Sequence, residues 1–138
     1  MEVKEILAPK KMLIALGTIV IVMSLWGMTH GDEWAEIGWG EGNVLAHDEA
    51  YEEMWALHLM PLGVMAIVTA LVVTGKELAK VAMFAPLVLV NMLGGMLILT
   101  SNNGYGGTPT GVSAALAGLM MLATVLTCVA GYLHKDGE

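Results

Sequence analysis

Four side chains in or beside apolar stretches of the sequence are of types that bind copper or haem iron. They are His30, His58, Met92 and Met96. Imidazole nitrogens and thioether sulfurs both coordinate copper, and histidine with methionine is a known axial pair for haem. His58 has the strongest claim, because it is the one histidine inside an apolar stretch and an ionisable group there is a functional candidate. Haem or copper is therefore the cofactor hypothesis, although the sequence establishes neither.

Three interpretations of His58 remain open. We favour a structural one, in which the imidazole hydrogen-bonds to a neighbour or reaches the membrane interface. The others are a metal or haem ligand and a contact for a proton or substrate. Pro61 follows on the same helix and favours a kink beside His58. His47 lies eleven residues before His58, about 16 Å along a helix, so these two side chains cannot share an ion within one helix.

Met92 and Met96 form an M-x-x-x-M pair with Gly94 and Gly95 beside it. This spacing resembles a pair in one span of the copper-transporting Ctr proteins. That family has no counterpart of the first apolar segment of this chain. It also carries a methionine-rich outer domain and a strict G-x-x-x-G in the next span, and neither occurs here. We therefore do not assign the chain to that family.

Carboxylates crowd the approach to the second apolar segment, at Asp48, Glu49, Glu52 and Glu53. They belong to a set of eight between Asp32 and Glu53, a stretch without lysine. We favour a solvated acidic face, with partner docking and capture of cations by a negative field as alternatives. Within this stretch, the segment 32–39 is predicted to be interfacial, with Trp34, Ile37 and Trp39 touching lipid or a partner.

The elements that position these residues are apolar helices. The chain is 57% hydrophobic and 14% charged, with a mean hydropathy of +0.71, well beyond the balance of a soluble domain. Four segments lack Asp, Glu, Lys and Arg and approach the ~20 residues needed to cross a bilayer. These segments are 12–29, 54–73, 81–100 and 112–133. We predict an all-α polytopic membrane protein, with a single domain over 1–138 whose four transmembrane helices form an up-down bundle and whose loop 30–53 is acidic.

The distribution of lysine orients this bundle. All six basic residues are lysines, and they lie in the N-terminal segment, the 74–80 turn and the C-terminal tail. The positive-inside rule places both termini in the cytoplasm and the acidic loop outside. We expect the first segment to be a retained helix, because its apolar run is long and no A-x-A-like cleavage site follows it.

Small and polar residues predict how the helices pack. Asn91, Gly94 and Gly95 share one face of the third segment, and Gly118 and Thr124 lie on a comparable face of the fourth. We predict close packing of these two segments, with Asn91 bonded to Thr124 or to a neighbouring carbonyl. Such bonds contribute ~0.6 kcal/mol on average in a bilayer.

Capping signals predict three helix boundaries. Asn43 is expected to cap a helix that starts at Val44, and Gly75 is expected to end a helix. Thr108 and Pro109 are expected to start the last helix as its N-cap and first residue.

The motifs of common enzyme classes are missing from the sequence. It has one cysteine, no H-E-x-x-H or E-x-x-H, no phosphate loop and no basic patch for nucleic acid. We therefore predict no catalytic activity for the chain alone. Our first hypothesis is an accessory integral-membrane subunit that stabilises a larger complex, of the respiratory or copper/haem oxidoreductase kind, monooxygenases included. The alternatives are a small homo-oligomeric carrier or channel for a cation such as copper, and a small b-type cytochrome using His58. The expected partners are the bilayer and other membrane subunits.

Overall fold

Helices account for all the regular structure in the computed structural model, which describes residues 3–100 and 103–137. Within these ranges, the side chains of Val3, Leu89, Leu93, Met96, Leu97, Leu99 and Thr100 are not included. The elements are α1 (Val3–Ile6), α2 (Pro9–Thr29), α3 (Gly31–Trp39), α4 (Asp48–Val72), α5 (Gly75–Met83), α6 (Ala85–Thr100) and α7 (Gly111–Leu133). The described residues contain no strand, which confirms the all-α prediction.

Three of the described helices, α2, α4 and α7, are long and apolar enough to cross a membrane. They contain most of the first, second and fourth predicted segments, so an integral membrane protein is compatible with the fold. The third predicted segment is not a single helix, because α5 ends at Met83 and α6 starts at Ala85. Pro86 lies next to this break. It has no N–H to donate to the carbonyl of Ala82, and its ring crowds the preceding turn.

The most extensive helix packing is between α2 and α4. At the crossing, a Cβ at Gly17 would lie 2.6 Å from the Gly63 carbonyl oxygen, and a Cβ at Gly63 would lie 2.7 Å from that of Gly17. Farther along, the buried Ser24 hydroxyl donates to the Ala56 carbonyl oxygen at 2.6 Å. Glycine permits this approach because it has no side chain. The α4 helix continues through Pro61.

At one end of the bundle, α5 packs against α2, α4 and α7. Its residues Leu78 and Ala82 form a buried cluster with Leu13 of α2 and Ala70 of α4. A Cβ at Gly131 of α7 would lie 2.5 Å from the Ala79 carbonyl oxygen. The sequence predicts a turn over 74–80, but most of it is the first part of α5. The reason is amphipathicity, since Leu78, Ala79 and Ala82 are buried whereas Lys76, Glu77 and Lys80 are exposed.

At the opposite end, α3 lies against α2 and α4. Trp34 is 9% exposed and packs with Ala56 and Leu59, so the prediction that it touches lipid or a partner is wrong. The expected cap at Asn43 is also wrong. The helix α4 begins at Asp48, and Asn43 instead donates through Nδ2 to the Trp39 carbonyl oxygen.

The boundary expected at Thr108 and Pro109 lies two residues too early, because α7 begins at Gly111 with Thr110 at the N-cap. Gly75, expected to end a helix, lies at the first position of α5 with a φ of +61°, and α4 has already ended at Val72.

The middle of α6 packs differently from the prediction. Asn91 is exposed, and the Thr124 hydroxyl donates to the Met120 carbonyl oxygen of its own helix at 2.8 Å. A Cβ at Gly94, Gly95 or Gly118 would meet no atom within 4 Å. Close glycine contacts therefore join α2 to α4, α5 to α7 and α3 to its neighbours, and they do not join the middle of α6 to α7.

Candidate functional site

The predicted metal and haem ligands contact different neighbours. His58 is exposed on the side of α4, where its Nδ1–H donates to the Met54 carbonyl oxygen at 2.5 Å. His30 lies between α2 and α3 and stacks on Trp26 with ring centroids 3.6 Å apart. Its Nδ1 lies 3.1 Å from the Trp26 carbonyl oxygen and 2.9 Å from the Thr29 hydroxyl. Each imidazole is thus oriented by its own helix.

Met92 lies away from His58. Met92 packs against the cluster of Trp34, Ala56 and Leu59. Met96 has a side chain outside the described residues, so its predicted role is not tested. Over the residues that the structure describes, no three His, Cys, Asp or Glu side chains are grouped so as to hold a metal ion. Metal or haem binding therefore stays a prediction from sequence.

The acidic end contains the clearest polar assembly. Tyr105, from the connection between α6 and α7, donates its hydroxyl hydrogen to Glu52 Oε1 at 2.5 Å. Glu52 is only 8% exposed, although it lies just before the apolar part of α4, which starts at Met54. Burial raises the pKa of Glu52, the Tyr105 hydrogen bond acts in the opposite direction, and the charge of Asp48 adds to the rise. Burial and the nearby Glu52 also raise the pKa of Tyr105.

The predicted acidic face is therefore only partly solvated. Asp48 is 5% exposed, and its Oδ2 accepts the Leu45 N–H at 2.7 Å, which satisfies this carboxylate at the start of α4. Glu52 is the second buried carboxylate of the four, whereas Glu49 is exposed and Glu53 is half-buried. Burial of a carboxylate is tolerated when hydrogen bonds compensate it, which Leu45 and Tyr105 do here.

Further contacts attach the 103–113 segment to α3. The Tyr105 ring meets Trp39 edge to face with centroids 5.0 Å apart, and the Gly106 N–H donates to the Gly38 carbonyl oxygen at 2.7 Å. At the start of α7, the Ser113 hydroxyl donates to Glu33 Oε1 at 2.6 Å. We call Glu33, Trp39, Glu52, Tyr105 and Ser113 the acidic-end latch. It joins α3, α4 and α7 at the acidic end of the bundle, where α6 ends.

Sequence reasoning did not find this latch. Tyr105 lies in a run of glycines, "NNGYGG", which indicates a turn and gives no sign that the tyrosine reaches a glutamate 53 residues earlier. The one signal in favour of a site was the density of carboxylates before Met54. Sequence spacing does not reveal that a hydroxyl donor lies close to these carboxylates, because the rest of α4, α5 and α6 separate Glu52 from Tyr105.

A second feature is the exposed face of α6. Leu87, Asn91 and Ile98 share this face at helical spacing, and Leu87 and Ile98 are 61% and 75% exposed. Gly94 lies between Asn91 and Ile98, and no neighbour lies within 4 Å of where its Cβ would be. A carboxamide beside a glycine on an open, apolar helix face can bond to and pack against a second helix. The chain matches no protein-family model, no curated protein and no solved structure.

Proposed function

We propose that this chain is an accessory integral-membrane subunit that docks through α6 onto a helix of a larger membrane complex. The observation that carries the proposal is the exposed face of α6, with Asn91 beside Gly94. A carboxamide facing hydrocarbon loses its hydrogen bonds to water, at a cost of several kcal/mol on transfer scales. A partner helix would satisfy the amide and would lie close to the glycine, where a side chain would keep it away.

The proposed arrangement has four crossings, with α5 and α6 together making the third. Alone, α6 has 16 residues, about 24 Å, which is less than the ~30 Å hydrocarbon core. Its two ends are held at opposite ends of the bundle, by α5 against Gly131 and by Gly106 against Gly38. This supports a continuous path across the membrane. The lysine end is proposed to be cytoplasmic and the acidic end outside.

Thiol labelling tests the orientation. In a Cys128→Ser background, which removes the one native cysteine, Thr108→Cys and Lys76→Cys introduce single exposed thiols at the two ends. A membrane-impermeant maleimide applied to intact cells should label the Thr108→Cys protein at once. It should label the Lys76→Cys protein only after permeabilisation. The reverse pattern would contradict the proposed sidedness.

Photo-crosslinking tests the docking. In the same background, Leu87→Cys carries a benzophenone maleimide on the α6 face, and Leu71→Cys carries it on α4 as a matched site of 59% exposure. In native membranes, the Leu87 probe should give a protein adduct of one defined mass, identified by mass spectrometry and lost on Asn91→Leu. The Leu71 probe should give lipid adducts only. If both probes give the same products, the α6 face is not a docking surface.

The class of the complex, respiratory or copper/haem oxidoreductase, stays a prediction from sequence. An adduct between two copies of the chain would favour the homo-oligomeric alternative. The cation-carrier and b-type cytochrome hypotheses gain no support from the described residues, since His30, His58 and Met92 each contact different neighbours. An absorbance spectrum and metal analysis of the purified protein test both.

A further inference from the structure

A groove of about 330 Å³ runs between α2, α4, α5, α6 and α7 within the apolar part of the bundle. Apart from Thr69 and Thr124, every residue that lines it is apolar, and the Thr124 hydroxyl already donates within α7. The groove opens to the outside of the bundle, because lining residues Met65, Phe84 and Val88 are between 47% and 62% exposed. Apolar hollows do not retain water, so in a membrane this one is filled by hydrocarbon.

Lysines lie at one end of this groove. Lys10 is one helical turn before Leu13, the first lining residue of α2, and Lys80 is one turn before Phe84. Both turns are at the same end of the bundle, because Leu13 shares a buried cluster with Leu78 of α5. Lys10 and Lys80 are exposed. A flexible lysine stem can extend along apolar surface and still present its ammonium group at the membrane boundary.

Glu77, the carboxylate paired with Lys80, does not block an incoming anion. Glu77 forms an exposed pair with Lys80 at 3.0 Å, with side chains 60% and 52% exposed, and such pairs contribute little. A phosphate can therefore share Lys80 with Glu77. The eight carboxylates of 32–53 lie in the sequence that forms α3, its connection to α4 and the start of α4, at the other end of the bundle.

We propose that the groove binds one anionic phospholipid, with an acyl chain along the α2 and α6 walls and the phosphate headgroup between Lys10 and Lys80. The groove supplies an apolar track for the chain, and the lysines select a net negative headgroup over a zwitterionic one. The site is separate from the exposed face of α6, because Val88 and Met92 line the groove whereas Leu87, Asn91 and Ile98 do not. Docking on α6 can fail without affecting lipid binding.

Native mass spectrometry of the full chain tests the headgroup part of the proposal. The protein is equilibrated with dioleoyl phosphatidylglycerol or dioleoyl phosphatidylcholine, and the retained lipid is counted per chain. Each lysine near an anionic headgroup raises the binding affinity about 5-fold. The protein should therefore bind phosphatidylglycerol about 25-fold more tightly than phosphatidylcholine. Lys10→Gln with Lys80→Gln should remove this preference. Lys135→Gln, whose ammonium is held 4.1 Å from the Tyr132 ring centre, should change it less than 2-fold.

Filling the groove tests the acyl-chain part. Val88→Trp places an indole in the groove and should lower retention of both lipids at least 10-fold. Val125→Trp makes the same change at a 57% exposed site outside the groove and should leave retention unchanged. Met65→Trp, on the α4 wall, repeats the test should Val88→Trp fail to fold. Equal retention of the two lipids by the wild type would overturn the proposal. Equal losses of the preference for phosphatidylglycerol in Lys135→Gln and in the double lysine variant would also overturn it. Full lipid retention in both Val88→Trp and Met65→Trp, when both fold, would overturn it as well.

Discussion

Replacing Tyr105 with Phe should destabilise the protein by about 1.5–3 kcal/mol, the range for a hydrogen bond to a charged group. The change removes the hydroxyl that donates to Glu52 Oε1 at 2.5 Å and leaves the ring free to keep its edge contact with Trp39. Glu52 is 8% exposed, so water cannot readily replace the lost donor. We therefore expect a value in the upper half of the range for a carboxylate that stays ionised.

Reversible unfolding in mixed micelles, followed by circular dichroism and tryptophan fluorescence, measures this loss. Tyr51→Phe is the matched control, because Tyr51 lies on the same helix as Glu52 and is 61% exposed. A double-mutant cycle with Glu52→Gln isolates the pair, and its coupling energy should exceed about 1 kcal/mol. A typical surface substitution changes the free energy of unfolding by about 0.5 kcal/mol or less. If the free energies of unfolding of Tyr105→Phe and Tyr51→Phe differ by no more than this, the latch does not stabilise the fold.

Two further predictions use the same assay. The raised pKa of Glu52 favours its protonated form in the folded state, so the stability from this group is full below about pH 4.5 and is lost as pH rises through the folded pKa. Glu52→Gln should therefore gain stability relative to wild type on going from pH 4 to pH 8, and a pH-independent difference would contradict this. Gly63→Ala should cost about 1–3 kcal/mol, because its Cβ would lie 2.7 Å from the Gly17 carbonyl oxygen. Gly94→Ala, where the Cβ meets nothing within 4 Å, should be neutral or stabilising by up to about 1 kcal/mol, and equal losses at the two glycines would contradict the packing.

Helix type and approximate span were predictable because they depend on local properties. A run of apolar residues without Asp, Glu, Lys or Arg is enough to predict α2, α4 and α7, and α7 begins one residue before the predicted segment. The break between α5 and α6, just before Ala85, was harder to predict from the sequence. Pro61 and Pro86 both lie in apolar runs, yet only Pro86 lies beside a break between helices. A proline is tolerated inside a membrane helix when neighbours satisfy the freed carbonyl, and sequence does not reveal those neighbours.

Helix pairing was less predictable, because several small-residue faces were available. Gly94, Gly95 and Gly118 are as suitable for close packing as Gly17 and Gly63, but of these five only Gly17 and Gly63 contact another helix closely. In hydrocarbon, no apolar face of a helix is favoured over another, so the choice depends on backbone contacts between distant residues. The latch was unpredictable for the same reason, since its Tyr105–Glu52 hydrogen bond joins residues that are 53 positions apart.

The arrangement of α6 connects these observations. The connection that follows α6 is attached to α3 by Gly106 and to α4 by Tyr105 of the latch, and the other end of α6 follows α5, which packs closely on α7 at Gly131. Between these anchors, Asn91 and Gly94 face outward with no close packing inside the chain. A helix whose neighbouring segments are attached at both ends and whose middle is open presents a preorganised surface, so a partner helix would not have to order it on binding. Gly94 has no close neighbour, although other glycines of the chain pack closely against helices. An open glycine of this kind would let a partner helix approach α6 closely.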